Sequence, residues 1–249
     1  MDGLKPLASM TSLVTGAARR LGRETALALA REGSNVVVHY NDSADDAKRT
    51  AEEIRACGVL AWTLPCDLTD SASIGSYFRR VVGAVGPVDI LINNASIFPR
   101  DQLGEVTAES ISTNIELNAV APLILTRDLA AQGRDGVVVN LLDSRILDYD
   151  KEHVSYHLSK RALFTLTRLT ALEFAPRIRV NAVAPGLVLP PNGEDENYLT
   201  DLQSTNPMGR HGSSSDVSDA IVYLVEARFV TGQVLFVDGG RHLRGSVYG

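Results

Sequence analysis

Tyr156 and Lys160 stand four residues apart in a helix-like run that begins at His153 and reaches about Ala175. On a helix, two such side chains lie on one face, one turn apart. A phenol has a pKa of about 10, and a nearby ammonium group favours the phenolate and lowers that pKa. The pair predicts a general acid that protonates a substrate as hydride arrives. The same spacing is common on amphipathic surfaces, so the prediction depends on what accompanies it.

A carboxyl group is available to the same site. Asp143 follows a strand predicted over Gly136–Leu142 and precedes Tyr156 by thirteen residues, so a connecting loop can bring both to one crevice. Beside a phenol and an ammonium, a carboxyl either stays charged or holds and donates a proton, as its environment decides. The alternative is a solvated loop carboxylate, which is how we interpret the acids between 148 and 152.

Near the N-terminus, the sequence predicts a phosphate-binding turn. A short apolar run, Thr11–Val14, leads into Gly16 and Gly22 with the spacing Thr-Gly-x-x-x-x-x-Gly, and a helical pattern follows over Glu24–Glu32. Free backbone N–H groups and the helix dipole favour an anion there. Arg20 stands where dinucleotide-binding turns often have a middle glycine. An ordinary β-α turn fits this short motif equally well.

The end of the second predicted strand, Asn35–Tyr40, indicates which dinucleotide would bind. A carboxylate there would bind the ribose hydroxyls of NAD and repel a 2′-phosphate. Tyr40 occupies that place, and positive charges and hydrogen-bond donors stand nearby: Arg19, Arg20, Asn41 and Ser43. This favours NADPH. The charge of Asp42 would oppose a phosphate, and we expect this side chain to be solvated.

Strand and helix patterns alternate along the chain with short turns. After the second strand come the segments Ala44–Ala56 (helix), Val59–Leu64 (strand), Ser71–Val85 (helix, capped by Asp70), Val88–Ile92 (strand), Thr107–Ala131 (helix), Ile178–Val183 (strand), Ser215–Glu226 (helix) and Gln233–Val237 (strand). This alternation predicts one α/β domain over residues 1–249 with a parallel, doubly wound sheet. Ligands of such sheets bind beyond the carboxyl ends of the strands, where Asp67 could bond an adenine amino group.

Three further features have two interpretations each. Phe98 could stack on a flat ligand or anchor a loop. Asn118 lies in an otherwise apolar run, and a buried amide needs partners, so it either bonds to backbone or belongs to a site. The segment Leu187–Asn206 breaks the rhythm of strands and helices, as a lid or a surface loop would.

Composition restricts the class of protein. The 249 residues carry a net charge of −6 without a basic stripe, which argues against nucleic-acid binding. Cys57 and Cys66 lack metal-ligand spacing, so we expect buried thiols and no metal site. We expect no signal peptide in Met1–Met10 and no membrane span, and hence a cytoplasmic protein.

Taken together, the motifs resemble the short-chain dehydrogenase/reductase family in order and spacing. They are Thr15-Gly16…Gly22, Asp67, Asn93-Asn94-Ala95, Asn118, Tyr156-x-x-x-Lys160, Pro185-Gly186 and Val237-Asp238-Gly239-Gly240. The resemblance implies a Rossmann-type, seven-stranded parallel sheet, a nicotinamide cofactor and a homotetramer. The cofactor-binding residues it implies, together with those argued above, are Gly16, Arg19, Arg20, Leu21, Gly22, His39, Tyr40, Asn41, Ser43, Asp67, Leu68, Asn94, Ala95, Ser96, Tyr156, Lys160, Pro185 and Gly186.

A narrower resemblance concerns the substrate. Asp143 stands where most family members have Ser. Together with Arg20, His39-Tyr40 and Ser96-x-Phe98, it forms a set that resembles pteridine reductases. The tail Asp238–Arg244 resembles bacterial dihydromonapterin reductases. This implies that Phe98 and the nicotinamide enclose a pterin ring and that Arg20 bridges cofactor phosphate and substrate. The substrate-binding residues it implies are Arg20, Ser96, Phe98, Asp143 and Tyr156.

The resemblance also implies a catalytic set. Asp143 and Tyr156 handle the proton, Lys160 holds the nicotinamide ribose, and Asn118 anchors Lys160 through water. Family members often have a hydroxyl residue where this chain has Val188, which weakens the inference about the substrate. Besides an NADPH-dependent dihydropterin reductase, the sequence is compatible with a reductase of ketones or 3-oxoacyl thioesters. A non-catalytic NADPH-binding sensor is a third hypothesis, against which the intact catalytic set argues.

Overall fold

A seven-stranded parallel sheet forms the centre of the protein. The computed structural model describes residues 5–191, 193 and 195–244. The strands are β1 (Thr11–Val14), β2 (Asn35–Tyr40), β3 (Ala61–Pro65), β4 (Ile90–Asn93), β5 (Gly136–Leu141), β6 (Ile178–Pro185) and β7 (Val234–Val237). Their order across the sheet is β3-β2-β1-β4-β5-β6-β7. The predicted doubly wound, seven-stranded parallel sheet is confirmed.

Helices cover both faces of the sheet. They are α1 (Arg20–Arg31), α2 (Ala44–Ala56), α3 (Ser71–Val85), α4 (Ala108–Ile115), α5 (Ala121–Ala130), α6 (Val154–Glu173), α7 (Glu196–Leu202) and α8 (Ser214–Glu226). Successive strand residues point to opposite faces. Val36 and Val38 of β2 therefore pack into one buried cluster with residues of α1 and α8, whereas Val37 packs into a second with residues of α3 and α5. Burial on both faces explains why the strands are continuous apolar runs.

The helix predicted over Thr107–Ala131 is interrupted by a wider turn. Residues Glu116–Val120 form a π-helical segment between α4 and α5. Such segments occur mostly as single turns and often at functional sites, and this one contains Asn118. The uniform prediction of one helix was wrong at this point.

Other predicted boundaries also differ, most of them by one or two residues. Helix α1 begins at Arg20, four residues before the predicted start, because the phosphate-binding turn runs directly into its first turn. The segment Leu187–Asn206 contains α7, whose N-cap Asp195 accepts a hydrogen bond from Asn197 N at 2.9 Å. Among the described residues, no helix is both long and apolar enough to span a membrane.

Candidate active site

A crevice opens at the carboxyl ends of the strands, where β1 pairs with β2 on one side and β4 on the other. This is where the strand order reverses and where doubly wound sheets bind ligands. The crevice has a volume of about 1420 Å³, and its lining includes every residue predicted to bind cofactor or substrate except Lys160. Lys160 and Asn118 are buried, with 3% and 0% of their surface exposed.

Tyr156 and Asp143 meet in this crevice. Tyr156 lies in the first turn of α6, and its Oη donates a hydrogen bond to Asp143 Oδ2 at 3.1 Å. The other carboxylate oxygen, Oδ1, accepts from the backbone N–H of Arg145 at 2.7 Å. The carboxylate is thus held in place by backbone while it contacts the phenol, which is the pairing that the sequence predicted.

The effect expected of Lys160 on Tyr156 was wrong. Lys160 Nζ donates to the carbonyl oxygen of Leu141 at 2.8 Å and lies 5.5 Å from the centre of the Tyr156 ring. Burial lowers the pKa of Lys160 to about 8. Burial, followed by the neighbouring Asp143 carboxylate, raises the pKa of Tyr156 well above its usual value. Desolvation and a close negative charge both disfavour the phenolate, so Tyr156 keeps its proton and can serve as an acid.

Asn118 connects the loop after β4 to α6. Its Oδ1 accepts from Ile97 N at 3.2 Å, and its Nδ2 donates to Ser159 Oγ at 2.9 Å. Ser159 Oγ in turn donates to the carbonyl oxygen of Tyr156 at 2.6 Å. Backbone and hydroxyl partners therefore satisfy the buried amide, whereas its water-mediated link to Lys160 stays a prediction.

The phosphate-binding turn is closely packed. Gly16 has φ +63°, and a Cβ at Gly22 would lie 2.2 Å from Gly16 O and 2.5 Å from Asn94 Nδ2. Only glycine fits at that contact. Arg20 takes the place of the middle glycine with φ +54°, and its guanidinium donates to the carbonyl oxygen of Pro190 on the opposite wall. The turn thus presents the N-terminus of α1 to the crevice, a geometry that suits a phosphate.

Beyond this turn, the crevice carries polar groups of both signs. Arg19 is exposed and lies 3.6 Å from an Asp46 carboxylate oxygen. Asp42 is exposed, as predicted, and accepts a hydrogen bond from Asn41 Nδ2 at 3.1 Å. Asp67 Oδ1 accepts from Thr69 N at 2.8 Å. Since no carboxylate stands at position 40, this end can accept a ribose phosphate better than a site with an acid there.

Comparison with known proteins decides the family. A family model described as enoyl-(acyl carrier protein) reductase matches residues 16–242. The chain is 31% identical to the 3-oxoacyl-[acyl-carrier-protein] reductase FabG of Staphylococcus epidermidis, over 94% of this chain and 99% of that protein. It is 35% identical to L-xylulose reductase of Bos taurus, over 94% and 97%. The chain belongs to the short-chain dehydrogenase/reductase family.

A solved structure of this short-chain dehydrogenase/reductase family is also similar. FolM alternative dihydrofolate reductase 1 from Brucella suis, determined in complex with NADP, superimposes with a TM-score of 0.90 and 34% identity, covering 95% of this chain and 96% of that one. The predicted family is confirmed. So is the enzyme class, an oxidoreductase with a nicotinamide cofactor.

One aromatic side chain of the crevice was missed by sequence reasoning. His153 stacks on Phe98 with ring centres 4.1 Å apart and planes inclined by 14°. Its Nδ1 forms a hydrogen bond with Asp150 Oδ2 at 2.9 Å. Phe98 also meets Tyr156 edge to face at 4.6 Å. His153 is the N-cap residue of α6, and no periodicity in the sequence indicates its contact with Phe98.

His39 holds the phosphate-binding turn in place, and its predicted contact with the cofactor stays a prediction. It is 2% exposed. Gly16 N donates to its Nδ1 at 2.9 Å, and its Nε2 lies 3.0 Å from the carbonyl oxygen of Cys66. Because the first contact needs an acceptor and the second a donor, the ring is neutral with its proton on Nε2. Protonation of Nδ1 would place two donors face to face.

Acid is therefore expected to destabilise the protein through His39. Burial lowers the pKa of His39 from 6.5 to about 4, so between these pH values the unfolded chain binds a proton that the folded chain excludes. The free energy of unfolding should fall by up to about 3 kcal/mol as the pH decreases through this range. His39→Asn keeps an acceptor for Gly16 N but does not titrate. Chemical denaturation of both proteins at pH 7 and pH 4.5 tests this, and parallel losses of stability would contradict it.

Proposed function

We propose that this protein is an NADPH-dependent reductase that converts a dihydropterin to its tetrahydro form. The observation that carries the proposal is the hydrogen bond between Tyr156 Oη and Asp143 Oδ2, 3.1 Å long, at the crevice and beside the Phe98 ring. Dihydromonapterin, dihydrobiopterin and dihydrofolate share the ring that this arrangement suits. The similarity to FolM alternative dihydrofolate reductase 1 from Brucella suis supports the proposal.

The chemistry divides between cofactor and chain. When bound, NADPH supplies the hydride. Tyr156, which keeps its proton because burial and Asp143 raise its pKa, donates at the ring nitrogen of the C=N bond. Asp143 accepts hydrogen bonds from pterin N–H groups, which a serine hydroxyl does less well because a carboxylate offers two acceptor oxygens. After each turnover it takes up a proton from solvent and passes it to the Tyr156 phenolate. Phe98, backed by His153, holds the flat ring.

NADP(H) rather than NAD(H) is the proposed cofactor. The place at the end of β2 that would hold a ribose-binding carboxylate is taken by Tyr40, and Arg19, Asn41 and Ser43 line the same end of the crevice. A guanidinium and neutral donors attract a 2′-phosphate. Lys160, buried under the site, is proposed to hold the nicotinamide ribose.

A second candidate is the reduction of a 3-oxoacyl thioester or ketone. The 31% identity to the staphylococcal 3-oxoacyl reductase favours it. Asp143 argues against it, because the site of a simple carbonyl substrate would favour a neutral hydroxyl donor over a carboxylate, which only accepts hydrogen bonds. A sensor without activity is disfavoured, since Tyr156, Lys160 and Asn118 are all present at the site.

The deciding measurement is NADPH oxidation followed by absorbance. Dihydromonapterin or dihydrobiopterin is offered in one reaction, acetoacetyl thioester in a second, and NADH replaces NADPH as the control. Rapid oxidation with the pterin alone is expected. Oxidation with the thioester alone would contradict the proposal and support the second candidate.

We further propose a cytoplasmic homotetramer. Cys57 and Cys66 are free thiols, as is usual in a reducing compartment. Exposed leucines on α6 support an interface on that helix: Leu158, Leu169 and Leu172. Light scattering on the purified protein measures the oligomeric state, and a monomer would contradict the proposed tetramer.

A further inference from the structure

A smaller cavity lies beside the substrate end of the crevice. It has a volume of about 280 Å³, and its lining includes Arg145, Asp148, Arg241, His242 and Arg244. Arg145 and Arg241 also line the main crevice, so the two cavities meet at these side chains. Among the described residues, three guanidinium groups and one carboxylate line it. Its lining is thus basic, whereas the chain as a whole is acidic.

Most of these basic side chains already have protein partners. Arg145 pairs with Asp150. His242 Nδ1 lies 2.9 Å from an Asp238 carboxylate oxygen. Arg244 Nη1 donates to the carbonyl oxygen of Ser204 at 2.7 Å. Their donors are therefore at least partly satisfied within the fold.

Arg241 differs from them. It is half-buried, and within the part of the chain that the structure describes, no acceptor bonds to its guanidinium. Burial and the nearby charge of Arg145 lower the pKa of Arg241, while Asp143, Tyr198 and Asp238 act in the opposite direction. Asp143 thus interacts electrostatically with Arg241 but does not form a salt bridge with it. A partly exposed guanidinium without a protein acceptor has donors free for an anionic ligand.

We infer that Arg241 and the cavity beside it form an anion-binding subsite for the end of the substrate remote from the reacting bond. The substrate class that follows, which rests on the proposed function, is a dihydropterin carrying a carboxylate or a phosphate on its side chain. Arg241 forms charge-assisted hydrogen bonds to that anion, which a guanidinium can make in pairs. Dihydrofolate and a dihydropterin phosphate ester are the two sources of such an anion.

Arg241→Gln tests the subsite. It is expected to raise KM for dihydrofolate about 10- to 100-fold more than KM for uncharged dihydrobiopterin, because a hydrogen bond to a charged group is lost. A phosphate ester of dihydrobiopterin, run in parallel, shows which anion is preferred. Arg210→Gln, which removes an exposed arginine outside both cavities, is the matched control for net charge. An equal rise for charged and uncharged pterins would overturn the inference.

Binding provides a readout that does not depend on turnover. p-Aminobenzoylglutamate, the anionic half of folate without its pterin, is titrated calorimetrically into the NADP-loaded protein. Tighter binding to the wild type than to Arg241→Gln is expected, and equal affinities would overturn the subsite. A rise in KM for NADPH, with an unchanged ratio of KM for dihydrofolate to KM for dihydrobiopterin, would also overturn the subsite. Arg241 would then bind the cofactor.

Failure of the proposed function gives a different result. If no pterin is reduced but acetoacetyl thioesters are, the same comparison is made between acetoacetyl-CoA, which carries phosphates, and the neutral N-acetylcysteamine thioester. A larger loss for the CoA substrate in Arg241→Gln would support the subsite although the pterin assignment had failed. Equal losses of activity with the two thioesters would overturn the subsite as well as the pterin assignment.

Discussion

Tyr156→Phe is expected to lower kcat for the preferred substrate by about 10²- to 10⁴-fold, the usual range for loss of a general acid. The substitution removes only the Oη that donates to Asp143 and keeps the ring that packs edge to face on Phe98. The binding site should therefore stay intact, and the Kd for NADPH should change little. Single-turnover kinetics and fluorescence titration with NADPH measure the two quantities.

The control for this variant is Tyr223→Phe, which removes the hydroxyl of a tyrosine exposed on α8, away from the crevice. It should match the wild type in kcat. Full activity in Tyr156→Phe would show that another group supplies the proton. Loss of NADPH binding would instead show that the phenol contributes to the cofactor site.

Asp143→Ser is expected to reduce kcat/KM for a dihydropterin by about 10²-fold, with a smaller loss, or a gain, for a ketone. The carboxylate that would accept pterin N–H groups is lost, whereas a serine hydroxyl still bonds a carbonyl oxygen. Because Asp143 raises the pKa of Tyr156, its removal should also shift the basic limb of the pH–rate profile to lower pH. Initial rates with both substrates across the pH range measure both effects.

Asp219→Ser provides the comparison, since Asp219 is an exposed carboxylate on α8. It should leave both rates and the pH profile unchanged. Equal losses on pterin and ketone in Asp143→Ser would remove the main support for the pterin assignment while leaving the family unaffected.

The parts of the fold that local sequence controls were predicted well. Helices α2 and α3 have the predicted bounds, because their starts are marked by turn residues and their apolar positions recur with helical spacing. Asp70 caps α3 as predicted, accepting hydrogen bonds from the backbone N–H groups of Ala72 and Ser73. The crevice position followed from parallel topology alone, since the carboxyl ends of all strands share one edge.

The parts that depend on distant contacts were not predictable in the same way. The stacking of His153 on Phe98 joins residues from separate loops and leaves no local periodicity. The pKa of Tyr156 depends on whether burial and the charge of Asp143 outweigh the charge of Lys160. The distances among these groups follow only from the folded structure. Arg241 follows a glycine pair and gives no sign, in sequence, of which cavity it lines.

The π-helical segment Glu116–Val120 affects how the chain tolerates length changes. A π turn contains one residue more than the α turn it replaces, so deletion of one residue there can restore a continuous α-helix. The apolar face of α5, including Leu125 and Leu129, would keep its orientation toward the sheet. Elsewhere in α4 or α5 the same deletion would rotate every following side chain by about 100° around the axis. A protein of this fold can therefore lose one residue in this segment and keep its core packing. The same deletion would move Asn118.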